Sequence, residues 1–66
     1  MPERLLRVAE VMARTGLSRP TIYRWMPEGR FPKPVALGPS LIAWPESEIN
    51  EWIADTIRAT RGEPAS

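Results

Sequence analysis

The sequence contains no cysteine and no histidine. Lacking cysteine, so short a chain has no disulfide to staple it and no thiolate for a structural metal. Lacking histidine, it is without the commonest general base near neutral pH and the commonest metal ligand. Its four glycines are scattered singly, so there is no glycine-rich loop to cradle a phosphate. No apolar stretch is long enough for a membrane span or a signal peptide. These absences set the expectations: no enzyme activity, no metal, no cofactor, no membrane partner and a cytoplasmic location.

What is present is a chain of 66 residues, enough for one domain with a compact core and few loops. Its net charge of +1 conceals an uneven distribution. Residues 1–33 carry seven basic and three acidic side chains, a balance of +4, whereas residues 34–66 carry two basic and five acidic, a balance of −3. A basic first half suits a polyanionic partner and an acidic second half suits a supporting role, although charges of either sign also simply solvate helix surfaces.

Punctuation along the chain marks the elements. Residues 1–4 read as a frayed start, and Leu5 with Leu6 as an extended lead-in. Leu6, Val8, Val11 and Met12 recur at near-helical spacing, giving a helix over about residues 8–14 that Gly16 closes. Glu10 stands three residues after Arg7, half of a capping box without its serine or threonine. Ser18 is a good N-cap for a second helix, and Pro20 sits in its first turn, where a missing N–H is harmless. Ile22, Trp25 and Met26 then form an apolar stripe until Pro27 breaks the run. Two short helices around Gly16-Leu17-Ser18 read as a helix-turn-helix.

The stretch from Pro27 to Pro34 holds too many prolines for regular structure, and its Phe31 is expected to plug the core. Val35-Ala36-Leu37 and Leu41-Ile42-Ala43-Trp44, flanking Gly38-Pro39-Ser40, read as a β-hairpin. Pro45 reads as the first residue of a third helix, with Glu46 and Glu48 at the positive end of its dipole. Ile49, Trp52, Ile53 and Ile57 trace that helix's inner face. The expected fold is therefore mainly α: a small winged helix-turn-helix of three helices and a two-stranded hairpin wing. It occupies residues 1–58, followed by a mobile tail over residues 59–66 that shows no periodicity.

The second helix carries the candidate working surface. With Leu17, Ile22, Trp25 and Met26 turned inward, helical periodicity sets Pro20 and Arg24 opposite, Thr21 and Tyr23 on the flanks and Arg19 near the N-terminal end. In helix-turn-helix proteins the N-terminal part of this helix enters the major groove of double-stranded DNA, which makes about residues 19–26 the recognition helix. Arginine there suits guanine edges and phosphates, threonine suits the thymine methyl, and the Tyr23 hydroxyl suits a phosphate. Thr21 has the alternative of bonding back to a helix carbonyl, and Ser18 is first a structural cap, with a phosphate contact as an additional role. Arg30 and Lys33 in the proline-rich loop are candidate phosphate clamps, or else keep that loop soluble. Trp25, Trp44 and Trp52 fall with Ile22, Ile49 and Ile53 at the spacings of a core rather than of a stacking platform or ligand cage. Glu46, Glu48 and Glu51 belong to a helix surface rather than to a pair of catalytic carboxylates.

The string Val-Ala-Glu-Val-Met-Ala-Arg-Thr-Gly-Leu-Ser-Arg-Pro-Thr-Ile-Tyr-Arg-Trp, from Val8 to Trp25, and Gly-Arg-Phe-Pro-Lys-Pro from Gly29 resemble the AlpA family of prophage regulatory proteins. So does Trp44 with Glu48, Ile49 and Trp52-Ile53. The likeness runs from about Leu5 to Ile57, and its specificity lies in the combination of Thr-Gly-Leu-Ser-Arg, Ile-Tyr-Arg and Gly-Arg-Phe-Pro at these spacings. It implies a MerR-like winged helix-turn-helix with site-specific DNA binding, found in transcriptional regulators of integrase or other mobile-element genes and in excisionase-like directionality factors. Carried over by position, it assigns recognition to Arg19, Thr21, Tyr23 and Arg24, with Arg30 from the Gly-Arg-Phe-Pro motif. Two departures stand out. The family usually places arginine or another polar residue in and after the wing turn, whereas Pro39-Ser40-Leu41-Ile42-Ala43 has no charge. That predicts a wing that binds little phosphate, with Leu41 free for protein contact or for packing along a groove. Pro20 stands where the family more often has serine, which thins the polar contacts at the helix start.

The leading expectation is a phage- or prophage-type transcriptional regulator that reads short repeated sites. So small a monomer offers few phosphate contacts, so self-association on adjacent sites, as a dimer or a head-to-tail array, is expected. An excisionase that binds and bends attachment-site DNA uses the same contacts. A protein-interaction module, such as an antirepressor on the same fold, is favoured by the neutral wing and disfavoured by the basic first half. RNA polymerase or a recombinase is the protein partner to which an acidic third helix would dock.

Overall fold

The computed structural model of the chain describes residues 3–62. The elements run β1 (Leu5–Leu6), α1 (Val8–Thr15), α2 (Arg19–Trp25), β2 (Val35–Gly38), β3 (Leu41–Pro45) and α3 (Glu46–Arg61). The expected mainly-α arrangement of three helices with a hairpin wing is what these residues adopt, with one strand more than expected. The lead-in Leu5–Leu6 pairs antiparallel with β3, Leu5 opposite Pro45 and Leu6 opposite Trp44, so the sheet has three strands in the order β1-β3-β2.

Local chemistry explains each boundary. No side chain caps the start of α1 at Arg7, and the half capping box stays unused because the Glu10 carboxylate is drawn instead to Arg4 (2.9 Å) and Arg14 (3.8 Å). Gly16 closes α1 at φ 77°, a left-handed conformation that glycine takes without a Cβ clash, and its N–H donates to the Met12 carbonyl at 2.8 Å. Thr15 fixes the turn from the other side. Its hydroxyl donates to the Val11 carbonyl at 2.8 Å and accepts from the Leu17 N–H at 3.3 Å. Only Gly16, Leu17 and Ser18 separate the two helices. After α2 the chain reverses at Gly29 (φ 74°), where the Arg30 N–H donates to the Trp25 carbonyl at 3.0 Å.

Two expectations about α3 are corrected. Pro45 is the last residue of β3 and the N-cap of the helix, not its first residue, because its ψ of 132° is extended and the next amide is used by the strand pairing. The Glu46 N–H donates to the Arg4 carbonyl at 2.7 Å. At the other end, α3 continues to Arg61 and is capped by Gly62 in the left-handed conformation, so residues 59–61 are helical rather than part of a tail. The rest of the segment read as a tail, residues 63–66, lies outside the described residues.

The core is built by Leu6, Val11, Ile22, Phe31, Trp44 and Ile49, with Val8, Met12, Leu17, Trp25, Met26, Ile42, Trp52 and Ile53 packed half-buried against it. Phe31 plugs it as expected, edge-on to Trp44 (centroids 6.1 Å) and to Trp52 (4.9 Å). Both indoles satisfy their N–H on the proline-rich loop, Trp44 on the Pro32 carbonyl at 2.8 Å and Trp52 on the Arg30 carbonyl at 3.0 Å. A loop without repetitive structure is thus held to the core by two indole donors, one on a fully buried ring and one on a half-buried ring. Charged groups tie the N-terminal strand to α3. The Glu3 carboxylate accepts from the Ser47 hydroxyl at 2.6 Å and the Ser47 N–H at 3.1 Å, which lowers its pKa below the ordinary glutamate value. Glu46 pairs with Arg14 at 2.8 Å and lies 4.0 Å from the Arg4 guanidinium. No described helix is long and apolar enough to cross a membrane.

Candidate nucleic-acid interface

Helix α2 exists because Ser18 starts it. Its Oγ accepts the Thr21 N–H at 3.4 Å, and its hydroxyl is 2.9 Å from that of Thr21. Ser18 is therefore the cap that its residue type predicted, and the Thr21 hydroxyl is engaged with it rather than with a helix carbonyl. Thr21 is half-buried, with its hydroxyl engaged by Ser18. Ile22 is fully buried, and Leu17, Trp25 and Met26 pack half-buried beside it, so the helix is anchored by the stripe that its sequence displayed.

The opposite flank carries Arg19, Pro20, Tyr23 and Arg24, all exposed. Arg19 and Tyr23 are one turn apart, as are Pro20 and Arg24, so the four side chains share one surface of α2. Among the described residues neither Arg19 nor Arg24 forms an ion pair, and Lys33 and Arg7 form none either. Arg4 and Arg14, by contrast, are taken up by Glu10 and Glu46. Arg30 aside, the cations among the described residues thus comprise Arg4 and Arg14 between β1, α1 and α3, Arg58 paired with Asp55, and an unpaired set of Arg7, Arg19, Arg24 and Lys33 with Arg61 at the end of α3.

Arg30 occupies a defined place in this surface. Its guanidinium lies over the Trp25 ring, 4.3 Å from the centroid, and approaches Glu28 at 3.5 Å. Its own backbone is held at both ends, through its N–H to Trp25 and its carbonyl to Trp52. Arg30 is therefore brought to the C-terminal end of α2, on a loop pinned by the core. Lys33 lies three residues further along the same loop, exposed, and the structure gives it no contact with the α2 set. The Arg30–Trp25 stacking and the free Arg7 at the start of α1 were not singled out in the sequence. A cation five residues after a half-buried tryptophan, across a proline and a glycine, was the available signal for the first.

Where α3 meets the proline-rich loop the character is opposite. A shallow hollow of about 290 Å³ is lined by Pro32, Glu48, Glu51, Trp52 and Asp55, three of them carboxylates. Its carboxylates repel phosphate from the hollow itself. Among the described residues no group of acidic side chains is placed to hold a metal ion.

Comparison with known proteins fits this geometry. The family model described as Prophage CP4-57 regulatory protein (AlpA) matches residues 4–57, from just before β1 into the fourth turn of α3. The chain belongs to the AlpA family. An AlpA relative in Escherichia coli strain K12, the DNA-binding transcriptional activator AlpA, is 39% identical over 57 residues, covering 77% of this chain and 81% of the relative. An uncharacterized protein of Enterobacteria phage P4, ORF88, is 51% identical over 55 residues, covering 83% of this chain but 62% of its own length. The chain therefore spans less than two thirds of the phage relative. The family match takes in the helix-turn-helix, the proline-rich loop, the hairpin and most of α3, so every residue of the α2 surface lies inside it.

Proposed function

We propose that this chain is a sequence-specific double-stranded DNA-binding protein that regulates transcription of prophage or mobile-element genes, with α2 in the major groove. The observation that carries this is the exposed flank of α2: Arg19, Pro20, Tyr23 and Arg24 side by side, with both arginines left without an acidic partner among the described residues. An arginine that is exposed and unpaired on such a helix meets base edges and phosphates without first breaking an internal bond. Support comes also from the bacterial relative, whose name describes a DNA-binding transcriptional activator.

In this reading Arg24 and Arg19 address guanine edges or the adjoining phosphates, and the Tyr23 hydroxyl donates to a phosphate. Thr21 presents its methyl, and Ser18 sets the helix start. Arg30, oriented by Trp25, and Lys33 hold the duplex backbone on the C-terminal side of α2, and Arg7 holds it at the start of α1. With about four phosphates engaged, the logarithm of affinity falls with the logarithm of salt at a slope near −3.6, about 0.9 per contact.

Fluorescence anisotropy against labelled duplexes tiled across the region upstream of the gene tests this, at two salt concentrations and with Arg24→Ala alongside. Preference for one tile, weakening with salt and loss in the variant are expected. Absence of binding to every tile at low salt overturns the reading and leaves a protein-interaction module in its place.

A further inference from the structure

Arg30 has its peptide groups fixed on both sides. Its N–H donates to the Trp25 carbonyl, and its carbonyl accepts the Trp52 indole N–H, each at 3.0 Å. Two residues later the Pro32 carbonyl accepts the Trp44 indole N–H at 2.8 Å. With both flanking peptides held, the direction of the Arg30 Cα–Cβ bond is set. The guanidinium then lies over the Trp25 ring, 4.3 Å from its centroid.

The two holds on the Arg30 backbone differ in origin. The Trp25 carbonyl belongs to α2 and comes with the end of that helix. The Trp52 N–H comes from α3, on a half-buried ring packed edge-on to Phe31 at 4.9 Å. To that packing the N–H adds one thing, a bond to the Arg30 carbonyl. Glu28 contributes little to the placement of the arginine. It approaches no closer than 3.5 Å, and the two side chains are 59% and 47% exposed, so their attraction is weak and gives way to a phosphate.

We infer that Trp52 is a positioning residue of the duplex-binding surface: by fixing the Arg30 carbonyl, its indole N–H seats the arginine on Trp25 and presents the guanidinium to a phosphate at the end of α2. This rests on the reading of the α2 surface as a DNA interface. An arginine side chain has many rotamers, and those given up at the moment of contact cost affinity. One that is fixed at both peptides and laid on a ring has surrendered much of that freedom before the duplex arrives. Trp52 itself lines the hollow of carboxylates, from which phosphate is repelled, so it acts through Arg30 and not by touching the duplex. The third helix thereby has a part in binding that its acidic surface conceals.

Trp52→Phe in the full chain tests this with two readouts. Without DNA, the ring current of Trp25 should displace the Arg30 side-chain proton resonances upfield in the parent, and the variant should return them toward ordinary arginine values. With DNA, anisotropy against the preferred duplex tile should show Trp52→Phe binding about two- to tenfold more weakly, the reach of one hydrogen bond. Arg30→Ala should lose at least as much, and the double variant should be no weaker than Arg30→Ala alone. Ile49→Val trims one buried methyl group from the same helix, lowers the melting temperature and should leave both readouts in place. If thermal melts show that Trp52→Phe does not fold, benzothienylalanine at position 52, introduced by chemical synthesis, keeps the shape of the indole without its donor. Arg30 resonances unshifted in the parent or unmoved in the variant, an affinity equal to the parent's, losses that add in the double variant, or the same losses in Ile49→Val each overturn the inference. Failure of the parent to bind any duplex overturns the DNA reading instead, and the resonances, which need no duplex, still decide whether Trp52 positions Arg30.

Discussion

Arg24 and Lys33 are both exposed and both without an ion pair among the described residues, yet they sit on different supports. Arg24 is on a helix anchored by the buried Ile22, so its guanidinium is delivered at a fixed register and can discriminate bases. Lys33 is on a loop and offers a point charge. Arg24→Ala is accordingly expected to weaken the preferred duplex by about 1–3 kcal/mol and to flatten the preference between duplexes. Lys33→Ala should weaken all duplexes alike and reduce the salt slope by about one. Anisotropy titrations over a salt series separate the two patterns. A uniform loss in both variants would deny Arg24 a reading role. Ser18→Ala acts on the helix itself. It removes the cap on α2 and the partner of the Thr21 hydroxyl, at a cost of about 0.5–1 kcal/mol, at the low end because the N–H···O distance is 3.4 Å. A thermal melt reads that loss directly. The exposure of Arg19 and Arg24 was legible from sequence because helical periodicity leaves them no inward position once Ile22 and Trp25 are inside. The pairing of Thr21 with Ser18 was not, because its hydroxyl chooses between a carbonyl and a cap through a side-chain rotation that periodicity does not govern.

Elements with local punctuation were legible and elements defined by distant partners were not. Gly16, Ser18, Pro20 and Pro27 bound α1 and α2 within a few residues, and the hairpin follows from Gly38-Pro39-Ser40 between two apolar runs. Strand β1 carries no such signal, since two leucines become a strand only by meeting Trp44 and Pro45 some forty residues later. The end of α3 was hidden because its apolar stripe stops at Ile57, while the helix itself runs on to the Gly62 cap over residues that pack on nothing. The clamp between Glu3 and Ser47 is likewise non-local, and it has a pH signature. Ser47 hydrogen bonds lower the Glu3 pKa in the folded chain. A carboxylate with a depressed folded pKa contributes stability that is present above its unfolded pKa and is lost as pH falls through the folded one. Stability should therefore decline through the acid range below the ordinary glutamate value. Glu3→Gln should remove that part of the decline while keeping an acceptor for Ser47. Thermal melts of both chains across the acid range check this, and parallel curves would mean that the clamp does not form in solution.

Across the whole molecule, the α2 surface is basic and the hollow along α3 is acidic. The Debye length is about 8 Å at physiological ionic strength, whereas at about 0.01 M it grows to about 30 Å. An exposed charge such as Glu51, if it stays off the duplex, therefore acts on its approach mainly when salt is low. Glu51 lines the hollow with Pro32 and Trp52, the latter bonded to the Arg30 carbonyl, and has no described contact with Arg19, Tyr23 or Arg24. Replacing it with Glu51→Lys changes the local charge by two units without adding a group to the α2 surface. In stopped-flow measurements the association rate should rise several-fold at low salt and return to the parent value near physiological salt, with the dissociation rate unchanged at both. Long-range steering predicts this split between rates, because a charge that never touches the duplex lowers the cost of encounter and not the cost of leaving. A slower dissociation that persists at high salt would show instead that α3 touches DNA, and would require the duplex to wrap round the acidic face rather than lie along α2.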